Sequence, residues 1–538
     1  VSATGARAPA RTPGRAAAAM GVATAVSRAF GFVRVLAVAA VLGTTYLGNA
    51  FQSSNSVSNV IFELLAAGAL SAVLVPTFVG LLEQGEREGA EEIAGGVLGL
   101  ALAGLGVVTV VGVAAAPLIA RLLTTGVRDP VVAAQQQDLT AYLLRFFIPQ
   151  VMLYAVGAVA IAVLYARRRF VVTAVAPIGN TVAIVAALAV FSVLRGGAAP
   201  SLDLTTAEKV TLGLGGTVGV LLFVAVPTWA CWHDGFRLRP RWRPRDRRVR
   251  ELLGLSGWAV LQHAGGGLLL AAALVVGNGV AGGVVAFQVA MVFFLAPYAI
   301  LAQPIHTAIL PDLSLDAARG DLDAFGGATR WALDGMAVLV VPVAAGMIAL
   351  AEPAMRVVAF GRATTSGGVD LLAAGLASLA VGLFAYGAFL LLARAYYALG
   401  DSRTPAVVGL ATAVVGVGVM AAAAPFAHGA ARVAALGLGH SAAYVLGAGV
   451  LGWGLSRRTG VPIVPRALPR ALVLSAAVGG AAWAAERVIA PGTRGATTAA
   501  LVILGASGGA VYAGLHRLWG GSLPALRPKV SGTSTPGS

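Results

Sequence analysis

Arg28 and Arg34 stand six residues apart inside one long apolar run. A guanidinium placed at the centre of a membrane helix costs ~2.5–3.5 kcal/mol, so such side chains face protein, water or a bound anion. The planar N–H fork matches phosphate oxygens in bidentate fashion, which suits this pair to a diphosphate. Snorkelling toward lipid head groups is the structural alternative, stronger for Arg28, the nearer of the two to the helix end. On an ideal helix Arg34 lies ~9 Å deeper than Arg28 and is turned by ~120° from it, so the two do not aim at one point. Glu63, flanked by Ile61, Phe62, Leu64 and Leu65, requires a counter-charge, a proton or a cavity, and Arg28 or Arg34 is its natural partner. Asn59, Gln262, His263, Gln288, Gln303 and His306 add neutral polar groups to apolar stretches, suited to a sugar-bearing head group or to neighbouring helices. The histidines form no HExxH pattern, Cys231 is the only cysteine, and the glycine-rich runs lack the Lys-Ser/Thr of a phosphate loop. Neither a metal, a cofactor nor a catalytic constellation is therefore expected, and the chain does not read as an enzyme.

The elements that must position these groups follow from composition. With 58% apolar and 11% charged residues, the chain cannot build a water-soluble surface. Its apolar stretches are about twenty residues long, the length that spans a hydrocarbon core as a helix. The expectation is an all-α polytopic membrane protein with about fourteen transmembrane helices. The expected spans lie near 20–45, 55–82, 94–117, 138–165, 171–194, 210–232, 252–277, 284–310, 329–350, 370–398, 404–425, 433–455, 470–486 and 497–516. An even count puts both termini on one side, and the concentration of arginines in alternate loops makes that side cytoplasmic. The net charge of +16 is scattered over short loops without interleaved aromatics, which reads as a topology signal and not as a nucleic-acid surface. Residues 1–19 form a basic tail, and the run that follows contains Arg28 and Arg34, unlike a cleaved signal peptide. The loop 233–251, with eight arginines from Arg237 to Arg250, separates six expected helices from eight. The acidic stretch Glu83–Glu92 falls on the same side and is a candidate to pair with it.

The stretch Leu392-Ala-Arg394-Ala-Tyr396-Tyr397-Ala-Leu-Gly-Asp401-Ser-Arg403-Thr404-Pro405 resembles the Arg–aromatic–Asp–Arg–Thr–Pro turn of the MurJ/MviN family. Three more segments match the family in order: Ser27–Arg34, Ala66–Pro76 and Ile309–Ser314. The resemblance covers about residues 20–520 and implies two six-helix lobes, 20–232 and 252–455, around a central cavity. Two further helices follow in 456–516, and 517–538 forms a cytoplasmic tail. It also implies a bacterial plasma membrane and alternating access that carries a polyprenyl-diphosphate-linked, lipid II-like peptidoglycan precursor to the outer leaflet. Membrane lipids and cell-wall synthesis proteins are the implied partners. Arg34, Arg28, Asn59, Glu63, Gln262 and Gln288 are the expected substrate contacts. Arg394, Asp401, Arg403, Thr404 and Pro405 are expected to be structural, with Arg394 capping helix-end carbonyls or pairing with Asp401, and Pro405 starting the next helix. The chain departs from the family in lacking arginines near Phe62–Glu63 and Met291–Val292, and in carrying Asn49 where an acidic residue is usual. A less basic cavity keeps two alternatives open: export of another lipid-linked saccharide or amphipathic small molecule, and a non-transporting scaffold for cell-wall synthesis. The sequence does not choose among an ion gradient, the membrane potential and substrate supply as the energy source.

Overall fold

The computed structural model describes residues 13–62, 68–246, 257–365 and 367–520, and every regular element among them is helical. Helices are what hydrocarbon allows, because each satisfies its own backbone N–H and C=O groups. The first half contains α1 (Pro13–Leu42), α2 (Tyr46–Phe62), α3 (Gly68–Glu83), α4 (Arg87–Ala114), α5 (Ala116–Leu123), α6 (Pro130–Phe147), α7 (Gln150–Ala166), α8 (Phe170–Arg195) and α9 (Thr206–His233). The second contains α10 (Gly257–Gly277), α11 (Gly283–Pro297), α12 (Gln303–Arg319), α13 (Leu322–Ala349), α14 (Ala351–Val358), α15 (Gly368–Ala380), α16 (Leu383–Ala398), α17 (Arg403–Ala423) and α18 (Gly429–Thr459). The last two are α19 (Leu468–Ile489) and α20 (Arg494–Leu518). Helices α1–α9 pack mainly on one another and α10–α18 on one another, while α19 lies on α13 and α20 on α19 and α14.

Eleven helices among the described residues are long and apolar enough to cross a membrane, or twelve if α15 and α16, bent by 44°, form one span. The expected count of about fourteen is not reached on this measure, since the second and seventh apolar stretches run into residues 63–67 and 247–256, outside the described residues. The expected spans are broken where chemistry breaks them. Pro149, which has no N–H to donate, sits between α6 and α7. A π turn, Tyr298–Ala302, joins α11 to α12. The second helix starts at Tyr46, well before the expected position near residue 55, and its early turns are polar and buried.

The basic linker is strapped to the first lobe, as the acidic stretch suggested. The Glu91 carboxylate accepts the Arg237 N–H at 3.2 Å, and Glu92 accepts Arg241 at 2.9 Å and Arg243 at 3.3 Å. Arg87 donates to the Gly235 carbonyl, and the Arg241 N–H donates to the Gly95 carbonyl at 2.8 Å. The strap lies so close on α4 that a Cβ at Gly95 or Gly99 would overlap the carbonyl of Arg239 or Arg241. The exposed ion pairs add little individually, so close backbone contact fixes the position. Gly99→Val is expected to lift the strap at a cost of about 1–3 kcal/mol and to speed trypsin cleavage after Arg241 and Arg243. An unchanged cleavage rate would show that the glycine contact does not hold the linker.

Candidate functional site

The two lobes meet most tightly at the end of the bundle opposite the basic linker. There α2 presents a polar stripe to the second lobe. Asn49 donates to the Val280 carbonyl at 2.7 Å and accepts the Val284 N–H at 3.0 Å. Asn278 donates to Ser53 Oγ and to the Leu274 carbonyl, both at 2.8 Å, and accepts from Gln136 Nε2 at 2.7 Å. Gln288 Nε2 donates to Ser56 Oγ at 2.8 Å. Arg128 reaches the Pro425 carbonyl at 3.3 Å, and Arg362 reaches the Gly197 carbonyl at 2.9 Å. Arg432 of α18, buried, donates through Nε to the Val276 carbonyl at 3.0 Å. Its guanidinium lies against Gly126 of the first lobe and Gly279 of the second, where a Cβ would come within 2.6 and 2.5 Å of it. Each such bond contributes a net of about 0.5–1.5 kcal/mol, but stranding a buried partner costs about 1–3 kcal/mol. The seam is therefore costly to break one residue at a time and far less costly to open as a unit into water.

Toward the linker end the arrangement is sparser. Arg28 is exposed and reaches Gln303 Oε1 of α12 across the seam at 3.5 Å. Arg34, half-buried, lies within electrostatic reach of Tyr154 on α7, whose ring packs against Phe62 at 5.3 Å. The two arginines thus diverge, as their helical phase requires, one toward each lobe. Phe32 meets Phe293 edge-to-face at 5.2 Å between them. Arg34 makes no hydrogen bond or ion pair with a described residue, and Glu63, its expected partner, lies outside the described residues, as does part of the Ala66–Pro76 segment. Gln262 falls on α10 with its side chain outside the described residues. Asn59 sits one turn after Ser56 and is half-buried without a hydrogen bond to a described residue. Gln288 is committed to the seam.

The Arg394–Pro405 turn is corrected in one respect. Asp401 does not pair with Arg394; its partner is Arg458 at 2.7 Å, whose guanidinium also lies 4.8 Å from the Tyr396 ring centroid. Asp401 also accepts the Thr404 N–H at 2.9 Å and hydroxyl at 2.7 Å, tying down the start of α17, which Arg403 opens and in which Pro405 is buried. Burial pushes the Asp401 carboxyl upward, but the bonds from Thr404 and the Arg458 guanidinium outweigh it and hold the carboxyl below its ordinary value. Arg458 is close enough because α18 returns alongside α16 and α17. Sequence distance concealed that pairing.

Two apolar grooves flank α19. One, of about 1060 Å³, runs between α13, α16, α18 and α19, from Ser456 and Pro465 near the linker end to Ile348 and Trp483 at the other. The second, of about 610 Å³, lies between α11, α13, α19 and α20, and Phe293 brings it to the lobe seam. Sequence reasoning missed Asn278, Gln136, Ser53 and Arg432. The run Asn49-Ala-Phe-Gln52-Ser53-Ser54-Asn55-Ser56 was the available signal, since so polar a segment belongs in a helix only if another protein surface covers it.

A family model described as "MurJ: Lipid II flippase MurJ" matches residues 38–501. The chain is 27% identical over 387 residues to a probable lipid II flippase MurJ of Rhizobium tropici, covering 72% of this chain and 71% of that one. It is 25% identical over 480 residues to the protein of the same description from Haemophilus influenzae, covering 86% and 90%. Among solved structures, lipid II flippase MurJ in an inward closed conformation matches with a TM-score of 0.74 at 16% identity, over 93% of this chain and 99% of that one. The structural likeness establishes the all-helical, two-lobed fold.

Two outcomes are expected from this geometry. Asn278→Leu strands Gln136 and Ser53, and should shift the lobes apart at this end by about 1–3 kcal/mol, read as increased thiol labelling of a cysteine placed at Ser56; Cys231 is buried and gives little background. Labelling equal to that of the parent would remove the network from the seam's energetics. Asp401→Asn should lower folded yield, and should flatten the acid limb of stability. With its carboxyl lowered, Asp401 contributes stability that is complete above its ordinary value of 3.8 and is lost as pH falls through the folded value. Monodisperse yield against pH for the two proteins checks this, and parallel acid limbs would contradict it.

Proposed function

The chain belongs to the MurJ family, and on that premise we propose that it carries a polyprenyl-diphosphate-linked, lipid II-like peptidoglycan precursor from the inner to the outer leaflet of a bacterial plasma membrane by alternating access. The basic linker end is the cytoplasmic one in this reading, with both termini inside. The observation that carries it is the contrast between the two ends of the lobe interface. A hydrogen-bonded seam closes the far end, while Arg34 stands half-buried without an ion pair to a described residue. An unpaired guanidinium at membrane depth is stabilised by water and by an anion, and a diphosphate head group entering a hydrated cavity supplies both.

The head group enters from the cytoplasmic side, meets Arg28 and Arg34, and is released outward when the seam opens and the cytoplasmic ends close. The carrier tail stays in an apolar environment throughout, and the groove between α11, α13, α19 and α20 leads to the seam at Phe293, where a tail can follow its head group. Transport is work done by lobe movement on a cargo whose bonds do not change. This distinguishes the reading from catalysis, and a non-transporting scaffold would show no cargo-dependent change in lobe distance.

Arg34→Lys should leave expression unchanged and weaken polyprenyl diphosphate binding by ~1–3 kcal/mol, because an ammonium replaces the bidentate fork. A screen of several polyprenyl phosphate and diphosphate lipids against the full chain in nanodiscs measures this and compares cargo classes. Full transport by Arg34→Gln combined with Glu63→Gln would instead make Arg34 an internal ion-pair member. Depletion of the protein, in cells without a paralogue, should strand labelled precursor on the inner leaflet.

A further inference from the structure

Arg394 was expected to cap helix-end carbonyls or to pair with Asp401, and among the described residues it does neither. It lies on α16, half-buried, and makes no hydrogen bond or ion pair with a described residue, while Asp401 is committed to Arg458 and Thr404. Gly387, seven residues earlier on the same helical face, abuts the second lobe's broken helix: a Cβ there would stand 3.4 Å from Ala302 and 3.8 Å from the Tyr298 ring. Two turns further along α16, Arg394 lies within electrostatic reach of both Tyr298 and His306. Tyr298 packs edge-to-face against His306 at 5.7 Å and is itself half-buried.

Arg28 approaches the same place from the other lobe. Its guanidinium reaches Gln303, one turn before His306, and its charge also acts on Tyr298. One tyrosine is therefore within electrostatic reach of two guanidinium groups, one from each lobe, and neither makes an ion pair with a described carboxylate. Like charges facing each other across a cleft repel, and an anion bridging them removes that repulsion and gains charge-assisted hydrogen bonds at both ends. A diphosphate has two phosphoryl centres, one for each fork.

Building on the lipid-linked cargo reading above, we propose that Arg394 is a second-lobe ligand of the cargo diphosphate, clamping it against Arg28 over Tyr298 at the cytoplasmic mouth of the cleft. Arg394 thereby supplies from α16 a positive charge that the family pattern led us to expect near Met291–Val292. Because the two forks belong to different lobes, the anion is held best when the cytoplasmic ends are close. Cargo binding itself then draws that mouth together.

The test uses the full chain in nanodiscs, with farnesyl diphosphate, farnesyl monophosphate and inorganic pyrophosphate as probes. Farnesyl diphosphate should bind Arg394→Gln at least about tenfold more weakly than the parent, with folded yield and melting temperature unchanged. The monophosphate should lose little, since it cannot bridge both forks. Pyrophosphate binding that falls in parallel with farnesyl diphosphate locates the effect in the diphosphate; a loss confined to the farnesyl probe would place Arg394 on the tail path and overturn the clamp. Arg28→Gln and Arg394→Gln together should be non-additive, as expected of two groups sharing one ligand. Should Arg394→Gln fail to fold, Arg394→Lys provides the reading: weaker diphosphate binding supports the clamp, and unchanged affinity overturns it. Parent-level affinity in Arg394→Gln, with Arg34 still required, refutes this inference alone. Absence of diphosphate binding by the parent refutes the cargo reading with it.

Discussion

Asn278 makes three hydrogen bonds at the place where the lobes meet, and much of the structure follows from the need to satisfy groups of this kind. A buried amide without partners is expensive in hydrocarbon, so a helix surface as polar as the start of α2 has two acceptable neighbours: another polar protein surface, or water. Apolar packing elsewhere is more forgiving, because a lipid tail replaces a leucine at little cost. Apolar cores hold each half together, and the halves join at a surface whose chemistry is selective about what covers it.

Selective coverage also sets how the charged groups are distributed. At the linker end, arginines are bound to carboxylates and backbone carbonyls on the first lobe, leaving the linker fastened along α4. At the far end, Arg128 and Arg362 donate to backbone carbonyls across the seam, while Arg432 donates within the second lobe. Between these zones Arg28, Arg34 and Arg394 lack carboxylate partners among the described residues.

Membrane residence, helix positions and the strap between Glu91, Glu92 and the arginine-rich linker were legible in the sequence, because length, hydropathy and loop charge are local properties. The divergence of Arg28 and Arg34 was legible too, being a matter of helical phase. The beginning of α2 was not: its asparagines and serines look like a loop unless the surface opposite is known. The partner of Asp401 was also hidden, since Arg458 is fifty-seven positions away and only the return of α18 makes them neighbours. The pairing of Arg394 with Asp401, one of two expected contacts, failed for the same reason, as a carboxylate nearby in sequence was taken for one nearby in space.

The π turn at Tyr298–Ala302 has an implication for how such a protein changes over evolutionary time. A π turn accommodates one residue more than the α-helical turn it replaces, and one residue is about 100° of helical rotation. Upstream of it Gln288 points to Ser56; downstream, Gln303 points to Arg28. A single-codon deletion that turned this π turn into an α turn would leave both contacts in register, whereas the same deletion in a regular stretch of α11 or α12 would swing everything beyond it by about 100°.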